Sequence, residues 1–179
     1  IWGMANWQFR KPIVINNIAN SNTLTDYQVA INLTYSPNMQ PDFSDIRFTW
    51  YNSTDGSEIE IPYWIESKVD SNWAYIWVKV PFIQASSTET IYVYYGNTTP
   101  VSSVSDAKSV FDFYQDFRIE QNIDNWFNDG ISVSWSSDGI IMTNSNPDNG
   151  LITLNTIPFS NVGLRVRTEM KSSSFSYYD

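Results

Sequence analysis

Residues 59–97, IEIPYWIESKVDSNWAYIWVKVPFIQASSTETIYVYYGN, hold the densest alternation in the chain, three strand signals separated by short polar connections. A period of two sends successive side chains to opposite faces of a sheet. In the middle signal Ala74, Ile76, Val78 and Val80 share one face, and Trp73, Tyr75, Trp77 and Lys79 share the other. The first set reads as a packed interior. The second is too aromatic for a plain solvent face and too polar at its tips for a dry core. The flanking signals repeat the split, with Ile59, Ile61, Tyr63 and Ile65 against Glu58, Glu60, Pro62 and Trp64, and with Ile91, Val93 and Tyr95 against Tyr92 and Tyr94. If the three strands pair, Trp64, Trp73, Tyr75, Trp77, Tyr92 and Tyr94 fall on one aromatic face, which is the leading candidate binding surface.

The preceding residues supply partner strands. Residues 1–6 show no periodicity and read as an arm, whereas 7–17 (WQFRKPIVINN) read as a strand that Pro12 assigns to an edge, because proline cannot donate to a ladder. Residues 27–34 alternate with Tyr27, Val29, Ile31 and Leu33 inward, as in a half-buried antiparallel strand. In 45–51, Ile46, Phe48 and Trp50 oppose Arg47, Thr49 and Tyr51, and the following Asp55-Gly56 pair marks a hairpin turn. Six strands with no helical pattern between them predict an all-β antiparallel sandwich or jelly roll over residues 7–100.

Residues 101–110 are small, polar and Ser-rich, as boundary segments are, and are expected to be a linker. Beyond it, 111–117 (FDFYQDF) and 120–126 open a new unit, the latter with one helical turn. Strand patterns follow at 131–135, 139–143, 151–154 and 163–171. Four strands do not close a sandwich, so the unit at 111–179 is expected to be partial or completed elsewhere. The chain starts without Met and ends on SFSYYD, and is read as a piece of a longer protein.

Composition removes several functions. Without cysteine or histidine there are no disulfides, thiol nucleophiles, imidazole bases or common zinc sites. A net charge of −9 opposes a phosphate-tracking groove, so no nucleic-acid partner is expected. No apolar run approaches the roughly 20 residues of a membrane helix, and no membrane insertion is expected in this segment. Only 16% of residues are charged while hydroxyl and amide side chains abound, a surface of extracellular character.

The blocks WQFRKPIVINN, LTDYQVAINL, DIRFTW, IPYWIES, IWVKVP and TIYVYYGN resemble, in order and spacing, those of domain-of-unknown-function family 2341, over residues 7–100. The resemblance implies a surface or secreted protein of archaea or bacteria, placed beside concanavalin- or laminin-G-like sandwiches. Residues from Phe111 onward look like the opening of such a neighbour. The family carries no assigned activity, so no catalytic residues follow from it.

Each candidate site has a plainer competitor. Trp and Tyr on a flat strand face stack against sugar rings, and they equally pack beneath a neighbouring layer. Glu58, Glu60 and Glu66, or Asp112, Asp116, Glu120 and Asp124, supply carboxylates, but a glycosidase pair needs a separation of roughly 5–9.5 Å that sequence does not fix. An enzyme is not expected. No cofactor is expected either, although Asn146, Asp148 and Asn149 offer oxygen ligands for calcium on a loop otherwise read as a turn. Asn32, Asn52 and Asn97 each open an Asn-x-Ser/Thr acceptor for N-glycosylation in a secreted chain. The leading expectation is an adhesion module of a cell-surface protein or viral attachment fibre that contacts glycans or surface proteins. The alternative is a building block of an extracellular filament, spike or surface layer, self-associating through a strand lent by residues 1–17. A polysaccharide-active enzyme is third.

Overall fold

In the computed structural model the structure describes residues 4–97, 99, 101–114 and four later strands, and the chain divides into two compact units, Ile1–Gln115 and Asp116–Asp179. The first unit holds β1 (Trp7–Asn16), β2 (Leu24–Thr34), β3 (Arg47–Asn52), β4 (Ser57–Ile61), β5 (Tyr63–Val69), β6 (Trp73–Ile83) and β7 (Thr88–Asn97), then the short helix α1 (Ala107–Val110). All pairings are antiparallel. One sheet has the order β1-β7-β3-β4 and the other β2-β6-β5.

The alternation in β6 is obeyed: Ala74, Ile76, Val78 and Val80 are fully buried. They meet Phe48, Ile61, Ile91 and Val93 of the opposite sheet in one core, so the two sheets form the expected antiparallel sandwich. The Tyr63 ring lies 5.3 Å from that of Phe48, and its hydroxyl donates to the Ile46 carbonyl at 3.0 Å. Burial raises the Tyr63 pKa above its usual value. Asp55-Gly56 forms the β3–β4 hairpin, with Gly56 at φ +74°. β1 is a sheet edge, as Pro12 requires, and lies against β7 of its own unit, so the strand expected to be lent to a neighbour is used at home.

Seven strands replace the six expected because one apparent strand is two. The alternation of Ile61 and Tyr63 runs on unbroken, both buried, while the chain leaves one sheet at Ile61 and enters the other at Tyr63. Pro62 sits at the crossing, where it lacks an N–H to donate, and its carbonyl accepts from the Lys79 amide at 3.0 Å. Two further positions depart from expectation. Tyr27 and Ile59, read as inward, are 47% and 43% exposed on the edge strands β2 and β4, whose inner faces are closed only farther along, at Ile31, Leu33 and Ile61.

Pro81 lies in the central strand β6, a rare position, and the cost is met locally. The opposing Asp26 has φ +49° and drops out of the register between Thr25 and Tyr27. Its carbonyl accepts from the Gln28 side-chain amide at 3.1 Å, which also reaches the Val110 carbonyl at 3.0 Å and so ties β2 to α1.

Residues 101–110, expected as a linker, are fastened to the sandwich. Arg47, only 6% exposed, donates to the Ser102 carbonyl at 3.0 Å. The Ile65 amide donates to Ser105 Oγ, and the Asp106 amide to the Tyr63 carbonyl. Asp106 caps α1, accepting from the Lys108 amide at 3.1 Å. This arrangement, with the Ser109 hydroxyl as its main contributor, lowers the Asp106 pKa.

In the second unit the described strands are β8 (Trp126–Asp129), β9 (Ile131–Ser136), β10 (Gly139–Asn144) and β11 (Leu151–Leu154). They pair as β9 with β10 and β8 with β11, both antiparallel. Three of these match expected strands. Trp126, assigned to a helical turn by its sequence, opens β8. The remainder of that turn and the expected strand at 163–171 lie outside the described residues.

Candidate binding surface

The six aromatic residues do not share a face. Trp64, Trp73, Tyr75 and Trp77 lie on the outer face of the three-stranded sheet, whereas Tyr92 and Tyr94 lie on the outer face of the four-stranded sheet. The reading assumed that β7 pairs with β6, but β7 runs between β1 and β3.

On the three-stranded sheet Trp64 is the direct cross-strand partner of Trp77. Residues 111–114, FDFY, fold over both. The Phe111 ring stands edge-on to Trp64 at 5.8 Å and to Trp77 at 5.6 Å, and Tyr114 meets Trp64 at 5.2 Å. These spacings are those of favourable aromatic pairs. Tyr75 packs edge-on against Trp77 at 5.9 Å. Lys79 Nζ closes the margin on Asp112 at 3.1 Å. A bulge at Glu66 interrupts β5, because Ile65 pairs with Ile76 and Ser67 with Tyr75. The extra residue accepts the Trp77 indole N–H on Glu66 Oε2 at 2.6 Å, fixing the ring.

Trp73 stays outside this cover. It is 40% exposed at the end of β6, opposite Val69 and Thr34, and the next pair along the face joins Tyr75 to Asn32 and Ser67. An open groove of about 440 Å³ lies at the β5 edge, lined by Asp42, Ile65, Glu66, Ser67, Lys68, Ser103 and Ser105. The Asp42 pKa is lowered, chiefly by the Ser44 hydroxyl and amide.

Tyr92 and Tyr94 belong to a different construction. Glu58 accepts from Thr49 Oγ1 at 2.6 Å and from the Tyr94 hydroxyl at 2.7 Å on one oxygen, and from Arg10 at 3.3 Å on the other. Arg10 also donates to the Tyr94 hydroxyl at 3.2 Å and lies 4.5 Å over the Tyr92 ring. The hydrogen bond with Tyr94, reinforced by the negative charge of Glu58, raises the Arg10 pKa further. Tyr94 is wholly buried. Beside it Arg47 lies 5.4 Å over Trp7 and 3.5 Å from Glu60. The indole N–H of Trp7 donates to the Asp45 carbonyl at 2.6 Å. Charged and aromatic groups here are held by one another across four strands.

The carboxylates considered for catalysis are thereby divided. Glu58 and Glu60 face outward from one sheet and Glu66 from the other, while Asp112 pairs with Lys79. Asp116, Glu120 and Asp124, and the calcium candidates Asn146, Asp148 and Asn149, lie outside the described residues. Among the described residues no group of three or more acidic side chains is arranged to hold a metal ion. Asn32 is exposed on β2. Asn52 and Asn97 are half-buried, their Oδ1 atoms accepting the amides of Thr54 and Thr99.

Sequence reading missed Phe111, Tyr114, Arg10 and Thr49. Aromatic density in FDFY directly after a Ser-rich stretch was the available signal for the first two. Pairing Arg10 and Thr49 with Glu58 and Tyr94 requires the strand order, which local sequence does not contain.

Fold and surface together define an antiparallel β-sandwich module whose aromatic row carries a segment of its own chain. The family model described as Domain of unknown function (DUF2341) matches residues 42–136, more than half of the chain, and the chain belongs to that family. The matched span starts after β2 and ends with β9. No curated protein and no solved structure gives a significant match.

Proposed function

We propose that the first unit is a non-catalytic structural module, a building block of an extracellular filament, spike or surface layer. One observation carries this reading: Trp64 and Trp77, the centre of the presumed ligand platform, seat residues 111–114 of the same chain. The tyrosines on the other sheet are likewise engaged, with Arg10 and Glu58. Aromatic stacking and charge-assisted hydrogen bonds used in this way stiffen a sandwich that has no disulfide. A surface dominated by uncharged polar groups accords with an extracellular position, on a cell or a virion. In that setting Asn32, Asn52 and Asn97 serve as glycan acceptors, and the second unit as a concanavalin- or laminin-G-like neighbour for which Asn146, Asp148 and Asn149 are the candidate calcium ligands.

A second reading, recognition of a glycan or surface protein, is favoured by one feature. The exposed Trp73 lies beside Tyr75 with Asn32, Thr34 and Ser67 as neutral hydrogen-bonding neighbours. That is the mixture of apolar face and polar tip that sugars stack on. The test is a broad glycan array probed with the full chain and with its Trp73→Ala variant. The structural reading expects no saturable binding by either. Binding that disappears in a folded Trp73→Ala variant would replace it with recognition.

A further inference from the structure

A sandwich has four sheet edges, and three of them here carry recognised protection against further strand pairing. β1 presents Arg10, Lys11 and Pro12. β4 is five residues long and carries Glu58 and Glu60. β5 is interrupted by the Glu66 bulge, and the Asp106 amide and Ser105 hydroxyl occupy its edge at Tyr63 and Ile65. β2, of eleven residues, has none of these over 27–34. The stretch YQVAINLT contains no charge, no proline and no glycine. Among the described residues no loop or side chain hydrogen-bonds to its outward backbone groups. Its only irregularity, at Asp26, lies before this stretch.

We propose that the outer edge of β2, residues 27–34, is where two copies of this chain pair, strand against antiparallel strand. Three features select a second copy as the occupant. An edge strand placed antiparallel to itself about a two-fold axis is automatically complementary, since residue i meets j and j meets i. In a chain of net charge −9, residues 27–34 bring no charged side chain into such a pairing, whereas β4 against itself would oppose its glutamates. Pairing also extends the inner row of Val29, Ile31 and Leu33 onto the same row of the partner, covering the side that leaves Val29 only partly buried. Side chains stand perpendicular to the sheet, so a glycan on Asn32 leaves the edge itself clear. This inference deepens the structural reading and names the contact by which such a block would assemble, but it is read out independently of any glycan binding.

The test is sedimentation velocity and light scattering on the full chain over a concentration series. A monomer–dimer equilibrium is expected. The paired substitutions Ala30→Lys with Asn32→Lys, at exposed positions, place like charges across the two-fold and weaken the dimer at least tenfold. Ala30→Glu with Asn32→Glu does the same, and an equimolar mixture of the two variants recovers a heterodimer. In the unmodified chain, amide-exchange protection within 27–34 rises with protein concentration, a readout that requires no variant to fold. A chain monomeric throughout the series, a dimer indifferent to both charge pairs, or protection of 27–34 independent of concentration would each overturn the proposal. The last of these would assign the edge to another part of the same chain.

Discussion

Replacing Phe111 with Ala removes the ring that spans Trp64 and Trp77, and the geometry sets the size of the effect. Two edge-on ring pairs, at 5.8 and 5.6 Å, are lost. Such pairs contribute about 0.5–1.5 kcal/mol each beyond area burial. Phe111 is half-buried, so its apolar contribution is roughly half of the ~1.5–3 kcal/mol of a fully buried side chain. Together these make docking of 111–114 weaker by about 2–4 kcal/mol, or roughly 30- to 1000-fold in its local equilibrium at 1.36 kcal/mol per decade. The core residues Ala74, Ile76, Val78 and Val80 are untouched, so the loss is local opening and only partly global unfolding. Amide exchange measured residue by residue distinguishes the two. The amide of residue 111, which donates to the Ala107 carbonyl, and that of Asp106, which donates to the Tyr63 carbonyl, exchange faster by that factor while the β6 amides change little. Unchanged protection at 106–111, or an equal loss in β6, would refute the view that the aromatic row acts as a local seat.

Three further substitutions probe other parts of the account. Gly96 has φ +74°, and a Cβ there would lie 2.6 Å from the Phe9 ring, which is stacked on Tyr95, so Gly96→Ala lowers unfolding free energy by about 2 kcal/mol or more in denaturant titration. Trp50 Nε1 is buried without a hydrogen-bond partner among the described residues, so Trp50→Phe removes a donor costing ~1–3 kcal/mol, which offsets the packing lost with the smaller ring, and lowers unfolding free energy by less than ~1 kcal/mol, whereas a loss of ~3 kcal/mol or more would contradict an unsatisfied indole N–H. The lowered pKa of Asp106 means that its cap contributes above the ordinary carboxylate range and is lost as pH falls through the folded value, below about pH 4. Asp106→Ala therefore costs about 1 kcal/mol at pH ~6, and its difference from the wild type in thermal melts narrows as pH falls below about 4; a difference that stays constant through that fall would contradict the charged cap.

Local chemistry written in side-chain period and turn residues was legible in the sequence. The inward row of β6, the Asp55-Gly56 hairpin and the edge position of β1 all follow from rules acting over two to ten residues. The partition into sheets was not, because alternation reports which side of a strand is buried and not which layer the strand occupies. Ile61 and Tyr63 keep a single parity while facing one core from opposite sheets, and Pro62 was the only mark of the crossing. The same blindness placed Tyr92 and Tyr94 with the tryptophans. Composition misled at 101–110, where serine reads as linker although Ser102 and Ser105 serve as hydrogen-bonding anchors on β3 and β5. The Glu66 bulge is likewise invisible locally, since two residues opposing one is a property of the pair.

Oxidative footprinting of the tryptophans in the full chain tests the central claim most directly, because it asks whether the aromatic row is occupied. With residues 111–114 seated, Trp73 is modified rapidly while Trp64 and Trp77 are protected, and the same two become reactive in Phe111→Ala. Equal modification of all three in the unaltered chain would mean an open platform and would contradict the account.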